Sequence, residues 1–430
     1  MRGHAAIVVG GQFGSESKGK VVAFLAQELG LAIRGGAPNA GHTVVTETET
    51  HKLQQIPAAF LNPHRHLVIG AGALIDPKIL RREIERTETS GRLSIDPQAG
   101  IIEPHHGAEE ADIVAAIGST GKGCGAALID RIRRRGFRLA KDALMDLPLE
   151  NVPLLTNNAL DDGKHVLLEG GQGFGLSLYH GYYPFVTSRD TTAAAVLSEI
   201  GISPLAAKDI ILVIRTFPIR VAGNSGPLPH ETTWESLSAH AGHPVEERTT
   251  VTGKIRRVAA FDLGIVQDAI RVNRPTQIAL QFLNYLFPKD ENASSWDALG
   301  AEARTHVLNL EQVLDVPITL IGTGAGPKAM VDRRPDVLRP KFFSRLEMPP
   351  SSPRLDSSSK RSEFLSISLR PGNVSATLPV MKKSATRSKT SLGMERSMSP
   401  NASEPPSSRK TRISVSMHST ARPGSAPVHS

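Results

Sequence analysis

Short, nearly uninterrupted apolar runs recur along the first 335 residues, and several end in glycine: AAIVVGG, HLVIGAG, HVLLEGG, DIILVIRTF, TQIALQFLNYL and ITLIGTG. Apolar runs that do not alternate with polar residues read as strands buried on both faces. KVVAFLAQELGL and TAAAVLSEIGI read as helices between them. Strands that stop at glycine-rich turns and open into helices predict an α/β fold. Its large central, mostly parallel sheet is flanked by helices, with ligands at the strand ends.

The pattern stops abruptly near Arg339. Segments such as MPPSSPRLDSSSKRSEF and SMSPNASEPPSSRKTRISVS are rich in Ser, Pro, Arg and Lys and poor in large apolar residues. They bury too little surface to offset their ordering entropy. The predicted organisation is one folded domain over residues 1–335 and a disordered tail over 336–430.

Composition sharpens this division. The chain has 430 residues and a formal net charge of +8. From Lys341 to Ser430 there are 15 basic and 5 acidic residues, which leaves 35 and 37 before them, so the body is near neutral. A basic tail without interleaved aromatics supports at most weak nucleic-acid binding. The single Cys124 excludes an intrachain disulfide and fits a reducing compartment. No segment reads as a signal peptide, transit peptide or membrane span, so a cytoplasmic protein is expected.

The first strand runs into GGQFGSESKGKVV, and a helix follows, as a phosphate-cradling loop requires. Gly14 to Lys20 nearly satisfies G-x-x-x-x-G-K-[ST], but Val21 stands where a magnesium-binding hydroxyl belongs. Backbone N–H groups around Ser15, Glu16, Ser17 and Gly19, with Lys18 and Lys20, still suit phosphate oxygens.

Taken in order, GGQFGSESKGK, GGAPNAGHTVV, GSTGKGCGAALIDRIRRRG, LEGGQGFGLSLYHGYYPFVTSRDTTAAA, TTVTGKIRR and the late IGTG resemble the adenylosuccinate synthetase family over about residues 5–330. The resemblance implies a C–N bond-forming ligase. The purine O6 is phosphorylated by a nucleoside triphosphate with Mg²⁺, and the aspartate amine then displaces the phosphate. Such an enzyme works largely by positioning and electrostatics.

What the resemblance implies for individual residues is specific. His42 is the acid near the β/γ-phosphates, beside Thr43, and Gly41 offers its carbonyl to Mg²⁺. Asn39, Thr120 and Thr187 belong to the monophosphate site, and Gln172 donates to O6. Arg134 matches an arginine that reaches the monophosphate of the partner subunit, which implies a homodimer. Thr250, Val251, Thr252 and Arg256 form the aspartate loop, with the Arg256 fork on a substrate carboxylate. Gly322 and Gly324 flank the donor base.

Four positions depart from that pattern. Ser15 replaces the aspartate that removes the purine N1 proton and binds Mg²⁺, and serine is no base at neutral pH unaided. The exchange resembles the phage 2-aminoadenylosuccinate synthetases, which act on dGMP; a small uncharged residue leaves room for a 2-amino group. Glu16, water or a triphosphate oxygen then remain to take the proton. Asn284, in QFLN, replaces a guanine-reading aspartate and offers both a donor and an acceptor, which matches adenine and points to ATP or dATP. Ser17 stands in place of a loop glycine, and Lys254 in place of an arginine. Three readings follow: a ligase for dGMP, aspartate and ATP; an ordinary synthetase for IMP and GTP; or an inactive nucleotide binder.

Overall fold

The computed structural model describes residues 2–249 and 253–334. Nine strands form the central sheet: β1 (Ala5–Gly10), β2 (Leu31–Arg34), β3 (His66–Ile69), β4 (Leu93–Ile95), β5 (Val166–Glu169), β6 (Ala207–Arg215), β7 (Gln277–Gln281), β8 (Ile318–Gly322) and β9 (Met330–Asp332). Their order is β9-β8-β7-β6-β1-β5-β2-β3-β4. Every neighbouring pair is parallel except β8 with β9. All six predicted strands are therefore strands of one mostly parallel sheet.

Period-two side-chain alternation divides the apolar residues between two faces. Ala5, Ile7 and Val9 pack with Val196, Leu197, Ile265, Val266, Val307 and Leu310, carried by the helices Ala193–Ile200, Leu263–Asn273 and Ala301–Leu314. Ala6 and Val8 pack on the other side with Val21, Val22 and Leu25 of helix α1, Lys18–Leu25. Because helices cover both faces, Ile7 and Val8 are wholly buried. A side chain of that size contributes roughly 1.5–3 kcal/mol when fully buried.

The helix boundaries follow local chemistry. Helix α2, Pro77–Thr87, starts where the Asp76 carboxylate accepts the N–H groups of Lys78 and Ile79, with proline in its first turn. Helix α3 (Cys124–Arg133) and α4 (Val152–Asp161) follow, then α5 (Ala193–Ile200), α6 (Leu263–Asn273) and α7 (Ala301–Leu314). Both sequence-predicted helices exist, although KVVAFLAQELGL is helical only to Leu25. TQIALQFLNYL is likewise divided. Its strand ends at Gln281, Phe282 adopts a left-handed conformation (φ 62°), and Leu283–Leu286 form a short helix.

Two smaller units flank the carboxyl ends of the sheet. His42–Val45 pairs antiparallel with Thr50–Leu53. Ile219–Arg220, Arg257–Ala259 and Glu231–Thr232 form a three-stranded sheet whose residues join a small core of Phe217, Ile219, Trp234, Leu237, Val245 and Val258. Among the described residues, no helix is long and apolar enough to cross a membrane. The expected disordered tail, 336–430, lies outside the described residues.

Candidate active site

The loop after β1 is strained and internally buttressed. Gly14, Ser15 and Ser17 have φ of 85°, 57° and 64°. Glu16 is wholly buried beneath them, and its Oε1 accepts the N–H groups of Gln12 (3.1 Å) and Gly14 (2.7 Å). Its Oε2 takes the Lys18 ammonium at 2.6 Å. With both oxygens engaged, Glu16 holds the loop's shape and is poorly placed to serve as a free base. A Cβ on Gly173 would stand 2.3 Å from Glu16 Oε1 and 2.4 Å from the Gly14 nitrogen, so only glycine fits there. Lys20 donates to the carbonyls of Gly324 (2.6 Å) and Ala329 (2.7 Å), which ties the loop to the segment after β8. Burial pushes its ammonium down to about 8.

His42 opens the neighbouring hairpin. Its Nδ1 bonds to Glu169 Oε1 at the end of β5, and Arg34 donates to the same oxygen at 3.0 Å. The Ala58 N–H donates to Glu169 Oε2 at 2.7 Å. This carboxylate therefore fixes the ring's orientation and tautomer. Burial, then the nearby Arg34 charge, pushes His42 down to about 4 against the upward pull of Glu169. Its buried Nε2 has no hydrogen-bond partner among the described residues and the residue lines the cleft, as expected of an atom that waits for a ligand.

Three residues expected at the monophosphate form a chain. Gln172 (φ 54°) donates from Nε2 to Asn39 Oδ1 at 2.9 Å, and Asn39 donates from Nδ2 to Thr187 Oγ1 at 3.3 Å. Arg134 is exposed just beyond α3, with φ of 61°, and does not line this cleft. Arg256 does line it, and its guanidinium makes no hydrogen bond to any described residue. Burial lowers the pKa of that group. Thr250, Val251 and Thr252 lie outside the described residues.

A cleft of about 440 Å³ at the carboxyl ends of the strands gathers these groups. Ser15, Glu16, Ser17, Lys18, Gly19, Lys20, Asn39, Gly41, His42, Thr43, Thr120, Gln172, Arg256 and Gly324 line it, together with Lys254. Thr187, Asn284 and Gly322 do not. Gly322 faces the Gln281 side chain, whose Oε1 is 2.2 Å from where a Cβ would be. Asn284 is buried behind the cleft wall. Its Nδ2 reaches Glu291 at 3.5 Å, and its Oδ1 has no partner among the described residues. Buried Cys124, its thiol pushed up to about 12 chiefly by burial, is an inert packed residue.

Sequence reasoning did not single out Glu169, Arg34, Arg215, Glu247, Phe282 or Tyr285, yet all shape the site. A signal was present for three of them: LAIR, LLE and LVIR each place a charge at the end of an apolar run. Such charges mark strand ends that face a polar site.

A doubly wound sheet whose first strand delivers an anion-cradling loop into a polar cleft defines a nucleotide-handling α/β enzyme. The adenylosuccinate synthetase family profile matches residues 7–149 and 141–291. The adenylosuccinate synthetase of Archaeoglobus fulgidus is 39% identical over 347 residues, covering 78% of this chain and 99% of that protein. That of Methanocaldococcus jannaschii is 39% identical over 339 residues, covering 76% and 96%. The chain belongs to the adenylosuccinate synthetase family, and it is a C–N ligase that joins aspartate to a purine nucleotide. Among solved structures, the fully ligated Plasmodium falciparum adenylosuccinate synthetase shares the fold, with a TM-score of 0.70 at 23% identity over 77% of this chain and 100% of that one. The cyanophage S-2L succinoaminodeoxyadenylate synthetase, solved with dGMP and with dATP as energy donor, has a TM-score of 0.67 at 28% identity over 77% and 96%.

Proposed function

We propose that this ligase joins L-aspartate to C6 of dGMP, with ATP or dATP as phosphoryl donor, to give the 2-amino-2′-deoxy form of adenylosuccinate. The observation that carries the reading is Ser15. It lines the cleft beside Gln172 as a neutral hydroxyl, and the adjacent carboxylate, Glu16, is closed off by Lys18 and two backbone N–H groups. A cleft with no free carboxylate at that point has room for a 2-amino group. The N1 proton then leaves to a water or a triphosphate oxygen. The cyanophage neighbour, which binds dGMP and dATP, supports the same reading. Asn284 does not line the cleft, so the choice of ATP over GTP rests on the replacement of the guanine-reading aspartate in QFLN and not on a contact of its side chain.

Within this reading the negative charge of a bound triphosphate raises the His42 pKa, so that Nε2 takes up a proton and passes it to the departing diphosphate, while Gln172 polarises O6 and Arg256 grips the aspartate carboxylate. Asn39 and Thr120 hold the monophosphate, Thr187 orients Asn39 by accepting from its Nδ2, and Arg134 is supplied by the second subunit of a homodimer in the cytoplasm. The Ser15 hydroxyl and the Gly41 carbonyl have no hydrogen-bond partner among the described residues, so these hard oxygens fit a Mg²⁺ ion completed by phosphate oxygens. Bound there, the ion neutralises charge on the transferring phosphoryl group.

The second reading, IMP with GTP, is favoured by the curated relatives, which carry the name adenylosuccinate synthetase. An inactive binder is disfavoured by the unpartnered His42 Nε2 and the uncommitted Arg256 guanidinium. The deciding assay supplies Mg²⁺ and aspartate with dGMP or IMP, each with ATP or GTP, and identifies product by mass. Product from dGMP with ATP, and a Ser15→Asp variant that shifts preference toward IMP by at least tenfold, is the expected result. Product only from IMP with GTP overturns it, and no product from any pair leaves the inactive binder.

A further inference from the structure

At the carboxyl end of β6, Arg215 is completely buried and touches three parts of the site at once. Its Nη1 donates to the Ser15 carbonyl at 2.8 Å, inside the phosphate loop. Its Nη2 pairs with Glu247 Oε1, and Nη1 reaches Glu247 Oε2 at 3.3 Å. The face of the guanidinium lies 3.9 Å from the centroid of the Phe282 ring.

Each contact leads into the cleft. Glu247 stands directly across the aspartate hairpin from Arg256, whose N–H donates to the Glu247 carbonyl at 2.9 Å. Tyr285 adds a hydrogen bond from its hydroxyl to Glu247 Oε1 at 3.2 Å. Phe282 lines the cleft with Tyr285, Gly324 and Ala325, in a left-handed backbone conformation that a bulky residue rarely adopts. The Phe282 carbonyl is held by Thr216 Oγ1 at 2.7 Å, which fixes the ring against Arg215.

We propose that Arg215 is a positioning residue that links the phosphoryl-donor side of the cleft to the aspartate hairpin, with Glu247 as its latch on the hairpin and Phe282 as a stacking platform for the donor base. The proposal rests on the assignment of the hairpin and donor base made above. Arg215 touches no reacting atom. Its planar fork holds Glu247 and Ser15 in one plane while its face supports the Phe282 ring, so the base of the hairpin and the donor platform share one rigid body. Lysine keeps the charge and loses both the fork and the stacking face.

The test is the set of three KM values, measured with whichever monophosphate and donor the wild-type enzyme turns over, so it does not depend on the dGMP assignment. Glu247→Gln is expected to raise the aspartate KM at least tenfold while the monophosphate and donor KM values stay within twofold. Tyr285→Phe, a milder change, raises the aspartate KM about threefold. Arg215→Lys raises both the aspartate and donor KM values, a pattern that mere loss of stability does not produce. Phe282→Leu raises the donor KM alone. An aspartate KM within twofold of wild type in Glu247→Gln, or an equal rise in all three, overturns the proposal. If Arg256→Lys leaves the aspartate KM unchanged, the hairpin assignment fails and the latch with it; an Arg256→Lys loss without a Glu247→Gln loss sinks the latch alone.

Discussion

Ser17 shows how one side chain sets the condition of a loop. It precedes α1 with φ 64° and ψ 34°, and its hydroxyl makes no capping bond to the helix. A residue with a Cβ held there costs about 1 kcal/mol relative to glycine, and no capping contact offsets it. Ser17→Gly is therefore expected to raise the thermal unfolding midpoint by about 2 °C; a lower midpoint in calorimetry would show a compensating hydroxyl contact. The sequence alone flagged Ser17 as a departure because GKGK-type loops place glycine there. It did not reveal Glu16 as the loop's internal strut, since that role depends on Gln12, Gly14 and Lys18 curling around one carboxylate. Glu169 was hidden for the same reason. It lies in the quoted LEGGQG segment, but its partners Arg34, His42 and Ala58 come from distant parts of the chain.

At the scale of elements, strands were legible where apolar runs were unbroken and obscure where the site intruded. LAIR is a wholly buried strand, yet its fourth residue is an arginine, so the run looks too short to read. TQIALQFLNYL looks like one long strand because no polar residue marks the point where Phe282 turns the chain. His105, His106 and Asp130 carry a different lesson. Their ligating atoms lie within 4.8 Å of one another, a spacing that suits a metal ion. However, His106 Nδ1 accepts the Glu103 N–H at 2.9 Å, so the proton of the neutral ring is on Nε2, which faces Asp130 Oδ2 at 3.3 Å. That tautomer caps the short helix Pro104–Glu109 and offers no lone pair to a metal. His106→Ala is expected to cost about 1 kcal/mol in denaturant unfolding, and added Zn²⁺ should leave the wild-type midpoint unmoved; a zinc-dependent rise in that midpoint refutes the capping account.

For the molecule as a whole, two buried histidines contribute to acid sensitivity. Burial pushes His42 and His306 down to about 4. Between pH 6.5 and 4 the unfolded chain binds protons at these rings and the native chain does not, so stability rises with pH across that window and is lost on acidification. Each ring contributes up to ~3 kcal/mol to that loss. Unfolding free energies measured across the window should fall steadily below pH 6.5. His306→Asn, far from the chemistry, should flatten the slope by about half, and an unchanged slope rules His306 out as a contributor. The net charge was legible at this scale too, because the excess lies beyond Lys341 and the catalytic body is close to neutral.

The cleft draws its walls from Phe13 near one end of the described chain to Ala325 near the other, with contributions from the segments that follow β1, β2, β5, β6, β7 and β8. No contiguous cassette of this chain contains a working subset of the chemistry. A cut in the chain between Phe13 and Ala325 therefore parts residues that line one cleft. An exchange at one such position, Ser15 among them, changes one wall of the cleft while the strand ends that frame it stay in place.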